Sequence, residues 1–370
     1  MSPQRSNTII TPQHVIPQTV SNYMPISSRV VDIINARLAP SIQAKYTAAF
    51  SQFCTWCQTQ GFDLLHLIAH ELIELDIILC EYLLEVFEDF ESIGGSGRST
   101  GEHTLNGLLH YFPEYQIQFP RSRAFLAGWA RLKPSISHPP LMWPLVISVA
   151  LTMMNNNQLE YGIATLLAFD CYLRVSEYSR LSRSQVLLPH DARFSVNTIQ
   201  SHSNVLYSSN GDTLLWRTDA HTIITLPKSK TGLHQSVTVE DRDIEEILHA
   251  WLSVCSGPYV FTFTQSQFRH VFQHTLRLLN LHHVPFSPHS LRHGGASWHF
   301  WTKGADALKG ILRRGRWVSH TGANSYLQSA PSRLGQYNIS PQFVLQGQQW
   351  ATRYKHAFLH HIRRVGTLPQ

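Results

Sequence analysis

The stretch from Ser287 to Gln328 reads "SPHSLRHGGASWHFWTKGADALKGILRRGRWVSHTGANSYLQ". It reads as two or three helices carrying six bases between 289 and 316 (Arg292, Lys303, Lys309, Arg313, Arg314 and Arg316) against Asp306 alone. His289 and Arg292 are three apart, which on a helix sets both side chains on one face. A guanidinium is a planar fork suited to two phosphate oxygens, and it stays charged at any relevant pH. A neighbouring histidine exchanges a proton near neutrality. Trp317 and Tyr326 follow, nine residues apart. By itself the segment leaves two readings open for Tyr326, a packed aromatic or the reacting group.

Working back along the chain, a run of helical patterns comes first. In "SIQAKYTAAFSQFCTWCQTQGF" (41–62), Tyr46, Phe50, Phe53, Trp56 and Cys57 recur at helical spacing and Gly61 stops the run. "HELIELDIILCEYLLEVFEDFES" is an acidic amphipathic helix, with eight acids and no Lys or Arg between 71 and 91. "HTLNGLLHYFPEY" and "RSRAFLAGWARLK" give two more helices, and the chain before them, Pro-dotted and polar, reads as a tail. Four prolines between 134 and 144 mark a linker. Beyond it, "LVISVALTMMNNNQLEYGIATLLAFDCYLRVSEYSRL" reads as two helices. Then the period changes to strand-like, with Asn210-Gly211 as a hairpin signal. "HTIITLP" and "SVTVE" read as strands joined by "KSKTGLH", and helices resume from "DRDIEEILHAWLSVC" onward.

The expected class is therefore mainly α with a small antiparallel β-sheet. The expected organisation is a flexible tail over 1–36, a helical domain over 37–134, a linker over 135–144, an α+β domain over 145–332 and a C-terminal helical tail over 333–370.

Composition narrows the function classes. The chain has 370 residues, a formal charge of +6 and 43% hydrophobic residues. That balance points to a polyanionic partner. The apolar runs are too short or too Pro-broken for a membrane span, and no signal-peptide core precedes residue 25. Five cysteines, an odd number, fit reduced thiols in an intracellular protein. The compartment expected is intracellular: nucleus in a eukaryotic host, cytoplasm in a bacterial one. His66 and His70 are four apart, and Cys54-x-x-Cys57 is a half-motif, but neither has the further ligands a zinc site requires. There is no phosphate-binding glycine loop. No cofactor, metal or small-molecule substrate is expected.

Further candidates stand apart in sequence. Arg174 lies in an apolar stretch, where an unpaired charge is costly, and Glu177 three residues on can orient it. Lys230 sits at the tip of the expected hairpin. A basic helix carries Arg121, Arg123, Arg131 and Lys133, and Arg313 and Arg314 flank Trp317; these six are candidate phosphate contacts. Each feature alone has an ordinary structural explanation: an ion pair, a solvated lysine, a basic face.

In order along the chain, "RVSE", "SKTG", "HSLRHGGA", "GRW" and "SYL" resemble the tyrosine recombinase family, which includes the phage integrases and Cre-like enzymes. The resemblance spans about 41 to 330, with the specific motifs confined to the second domain. It departs in two places: position 317 is Trp, as in the Cre-like variant, where many members have His, and the segment 195–225 looks longer than the family's small sheet. The resemblance implies a core-binding helical domain, a catalytic domain and, on double-stranded DNA, a homotetramer. It also implies a catalytic set of Arg174, Lys230, His289, Arg292, Trp317 and Tyr326, with Glu177 in support. Tyr326 would be the nucleophile forming a 3′-phosphotyrosine, and Lys230 the acid for the departing 5′ oxygen. A topoisomerase-like DNA-relaxing enzyme, a catalytically silent DNA-binding relative and a helical interaction protein are the alternatives.

Overall fold

The computed structural model describes residues 28–92, 97–133, 138–189, 221–229, 232–317, 327, 335 and 337–366. The chain divides into two compact units, Met1–Ile136 and Ser137–Gln370. The fold is mainly helical with one small antiparallel sheet. Among the described residues no helix is long and apolar enough to cross a membrane.

The first unit is all helix: α1 (Ser28–Asn35), α2 (Pro40–Gln60), α3 (Leu64–His70), α4 (Leu72–Ser92), α5 (Arg98–Tyr111) and α6 (Pro120–Leu132). Helical spacing puts Phe50, Phe53, Leu79, Leu83, Leu108 and Trp129 into one core. Helices α2 and α5 approach closely because Gly107 has no side chain; a Cβ there would stand 2.7 Å from the carbonyl oxygen of Tyr46. Asp76 on α4 is an acid turned inward, 1% exposed. It caps α6, accepting from the backbone N–H groups of Arg121 and Ser122 at 2.9 Å each and from the Ser122 hydroxyl at 2.6 Å. The segment 1–36 is not tail throughout, since α1 forms inside it. Its last proline is Pro25, so nothing breaks the helix after Ser28.

The second unit contains α7 (Trp143–Asn155), α8 (Leu159–Asp170), the short α9 (Val175–Tyr178), strands β1 (Val186–Leu187), β2 (Ile223–Ser229) and β3 (Gly232–Thr238), then α10 (Arg242–Val254), α11 (Gln265–Leu278), α12 (Pro288–Lys303), α13 (Leu308–Gly315), α14 (Pro341–Trp350) and α15 (Tyr354–Gly366). The sheet order is β1-β2-β3, all antiparallel, with Ile223 opposite Thr238 and Ser229 opposite Gly232. The hairpin expected at "KSKTGLH" is thus formed; Lys230 and Thr231 between its strands lie outside the described residues. So do Asn210-Gly211 and most of 195–225.

Three features differ from the sequence reading. The proline-bearing linker is packed from His138 on: Leu141 is fully buried and its N–H donates to the Ser290 carbonyl at 2.9 Å. The segment 333–370 is not a free tail over its described helices. Tyr354, Phe358 and Ile362 of α15 join the central core, and Phe358 lies against α8 at Gly162, where a Cβ would meet its ring at 3.0 Å. The apolar periodicity of α15 is diluted by histidines and arginines, which hid a buried face. Finally, the stretch before Arg174 is not one helix to "SEYSRL", because α8 stops at Asp170.

Helix α12 owes its seat to "HGGA". A Cβ on Gly294 would collide with the carbonyl oxygen of Leu141, and one on Gly295 with that of Phe169. Gly295→Ala is expected to destabilise the unit by about 1–3 kcal/mol or more through overpacking. Gly310→Ala on α13, where a Cβ meets nothing within 4 Å, is expected to be neutral or stabilising by up to ~1 kcal/mol. Urea denaturation of the two variants checks the contrast.

Candidate active site

The break after α8 creates the first half of the site. Tyr172 adopts a left-handed backbone (φ 49°), and the chain turns so that Arg174 becomes the residue preceding α9. Glu177 then reaches back: its Oε2 accepts the Arg174 backbone N–H and its Oε1 the Arg174 guanidinium, both at 2.8 Å. The i, i+3 pair read from "RVSE" is therefore an ion pair at a helix start, with the carboxylate side chain only 4% exposed.

The second half comes from α12 and the end of α13. Ser287 caps α12, its hydroxyl accepting from the His289 N–H at 3.2 Å. Arg292, one turn in, is 1% exposed and donates to the carbonyl oxygens of Tyr172 and Gly315. Trp317 lies over that guanidinium, 4.8 Å from cation to ring centroid, a cation–π arrangement. Its ring fits because Gly315 has no Cβ to strike it.

One residue joins the halves, and the sequence reading treated it only as a flanking base. Arg316 has a left-handed backbone (φ 55°) just past α13 and a side chain 3% exposed. Its NH2 donates to Glu177 Oε2 at 2.7 Å and to the Tyr172 carbonyl at 3.2 Å. Arg174, Glu177, Arg316, the Tyr172 carbonyl, Arg292 and Trp317 thereby form one continuous network. The signal for Arg316 was its place in "RRGRW", which composition could not separate from its neighbours.

His289 is exposed at the start of α12, its ring 4.2 Å from that of buried His293. Burial, then the His289 charge, pushes His293 down to about 2, so it is neutral. Lys230 and Tyr326 lie outside the described residues. Leu327, next to Tyr326 in sequence, is buried with Tyr172, Ala296 and Ile311.

The remaining basic candidates separate. Arg313 is exposed. Arg314 does not stand on the surface: its side chain is 7% exposed and it bonds Asp170 Oδ2 at 3.0 Å, the Asp170 carbonyl at 2.6 Å and Glu240 at 2.8 Å. A phosphate contact would require breaking a buried ion pair, which costs several kcal/mol by the usual range of about 3–5. In the first unit Arg121 stays half exposed, Arg123 bonds the carbonyls of Gln116 and Gln118, Arg131 is exposed and Lys133 pairs with Glu91 at 2.8 Å. Cys54 and Cys57 are core residues whose thiols burial pushes up to about 12. Among the described residues no group of three or more His, Cys, Asp or Glu is placed to hold a metal ion.

A hydrogen-bonded pair backs the network. Burial raises the Tyr172 phenol, which stays protonated and shares a hydrogen bond with His299 Nδ1. Burial and then the Arg314 charge lower His299 to about 4.

No family model matches the chain, and no curated protein does. Among solved structures, a lambda integrase dimer bound to a COC′ core site is similar over 82% of this chain and 81% of that one, at 12% identity and a TM-score of 0.48. XerA recombinase is similar over 82% of this chain and 97% of its own, at 12% identity and a TM-score of 0.34.

The lowered His299 sets a pH dependence. Its folded pKa of about 4 is below its unfolded value near 6.5. Above 6.5 the neutral form is common to both states and the contribution is intact. As pH falls from 6.5 toward 4 the unfolded chain takes up the proton first, and stability declines. The urea midpoint is expected to fall across that window, and His299→Gln, which cannot titrate, is expected to fall less.

Proposed function

We propose that the protein cleaves and rejoins DNA strands at specific sites through a covalent 3′-phosphotyrosine, without metal or ATP, as a recombinase or integrase of a mobile element. The observation that carries this reading is the convergence of Arg174 and Arg292, 118 positions apart in the sequence, on one hydrogen-bonded network with Trp317 over Arg292. Chemistry on a phosphodiester builds charge on the non-bridging oxygens, and preorganised donors held away from water meet that charge most effectively. Arg174 held by Glu177 and Arg292 held by the Tyr172 carbonyl, with Arg316 bonded to both acceptors, are such donors.

In the proposed reaction Tyr326 Oη attacks the scissile phosphorus and the bond to the 5′ oxygen breaks. Lys230 supplies the proton to the departing oxygen, and His289, exposed at the α12 start, accepts the tyrosine proton or positions the phosphate. The phosphotyrosine conserves the phosphodiester energy, so a second DNA hydroxyl reseals the strand. Guanidinium and ammonium charge does the electrostatic work that a metal ion performs elsewhere. Strand exchange between two duplexes requires four such sites, hence a homotetramer on double-stranded DNA. Exposed Arg313, Arg121, Arg123 and Arg131 are proposed phosphate contacts that position the duplex.

A DNA substrate carrying a nick near the cleavage position traps the intermediate, because the short 5′ fragment diffuses away. Wild type is expected to give a covalent protein–DNA adduct and Tyr326→Phe none; adduct formed by the Phe variant would assign the nucleophile elsewhere. Arg174→Ala and Arg292→Ala are expected to slow cleavage ~10²–10³-fold with much smaller losses in DNA affinity. Relaxation of supercoils at any sequence, without recombination of a defined site, would favour the topoisomerase-like alternative.

A further inference from the structure

Arg174 and Arg316 share a single carboxylate. Glu177 accepts Arg174 on Oε1 and Arg316 on Oε2, at 2.8 and 2.7 Å. All three side chains are withdrawn from water, at 18%, 4% and 3% exposure. A carboxylate paired with one arginine cancels it; paired with two, it leaves one positive charge. Of the other nearby bases, Arg314 is matched by Asp170 and Glu240 and does not enter this sum, and Arg292 is held by the Tyr172 and Gly315 carbonyls and bonds neither oxygen of Glu177. Arg316 itself keeps Nε and NH1 buried with no hydrogen-bond partner among the described residues. Polar atoms in that state are costly in a purely structural role, at about 1–3 kcal/mol each.

We infer that Arg316 is a positioning residue that keeps the Arg174–Glu177 pair cationic, so that Arg174 still attracts an oxyanion although its own ion-pair partner is in contact with it. This deepens the strand-transfer reading and rests on it only for the identity of the oxyanion as a DNA phosphate. Arg316 acts in two ways through the same NH2. Its bond to Glu177 withdraws half of that carboxylate from Arg174. Its bond to the Tyr172 carbonyl, which also accepts from Arg292, links the Arg174–Glu177 pair to Arg292 through Arg316. Without Arg316, Glu177 would neutralise Arg174 fully, and the site would lose charge without losing a residue that faces the phosphate.

The test separates charge from packing. Four proteins are compared: wild type, Arg316→Lys, Arg316→Gln, and Arg316→Gln combined with Glu177→Gln. The charge on positions 174, 177 and 316 is +1 in wild type, in the lysine variant and in the double variant, and zero in Arg316→Gln. Inorganic phosphate is titrated at constant ionic strength and the rise in melting temperature followed; folding of each variant is checked by its cooperative melt. Wild type, the lysine variant and the double variant are expected to be stabilised by phosphate, and Arg316→Gln to respond at least several-fold less. Cleavage of the nicked substrate is expected to follow the same order, with Arg316→Gln slowed ~10-fold or more and the double variant recovering part of the loss, since one preorganised charge is removed and restored. A purely structural Arg316 predicts that the double variant is the worst of the four in both measurements, and that outcome overturns the inference. So does an equal phosphate response in all four. If the phosphate pattern holds but wild type forms no DNA adduct, the strand-transfer reading fails and the role of Arg316 stands. If adduct forms while the phosphate pattern is flat, the reverse holds.

Discussion

One backbone oxygen, the carbonyl of Tyr172, accepts hydrogen bonds from Arg292 and Arg316. Side-chain cations are normally positioned by other side chains, which relax when mutated or protonated. A main-chain acceptor cannot titrate, and here it sits in a turn fixed by a left-handed residue between α8 and α9. The rest of the second unit serves that turn. Helix α8 holds it from one side through the buried Phe169, and Leu173 of the turn itself is buried too. Helix α12 is brought against it by two glycines, and the Tyr172 ring is clasped by His299 and by Arg314, whose guanidinium lies 5.4 Å from its centroid.

Much of this was legible in the sequence, for identifiable reasons. Helix α2 read directly from the spacing of its buried Phe50, Phe53 and Cys57, and α7 from a continuous apolar run that is buried nearly all round. The β2–β3 hairpin was legible because the β-branched runs "TIIT" and "SVTV" stand on either side of "KSKTGLH". Arg174 with Glu177 was readable as a pair from spacing alone. What escaped was whatever depended on distant chain. Arg314 and Arg316 are two residues apart and chemically identical, yet one serves Asp170 and Glu240 and the other Glu177. Only the fold brings those acids to them. Likewise α15 carries basic residues and histidines on its outer faces, and its buried Tyr354, Phe358 and Ile362 acquire meaning only against α8 and α10.

The two units handle inward charge differently. In the first, Asp76 is buried to cap α6 and is matched by backbone donors. In the second, acids are buried to hold arginines, and the balance at Glu177 is deliberately uneven. A cap contributes stability and nothing else. An uneven ion cluster gives up some stability in exchange for a standing electric field, the usual character of a reactive site.

The packing of Phe358 beside Gly162 joins residues ~200 positions apart. Contacts of such sequence separation are costly to close and slow folding. Helix α8, which leads into the Tyr172 turn, cannot be fully enclosed until α15 has been synthesised and has docked. A partly made chain therefore holds its arginines on an unfinished support, and the Arg174–Glu177–Arg316 cluster is firmly backed only late, together with the completed core.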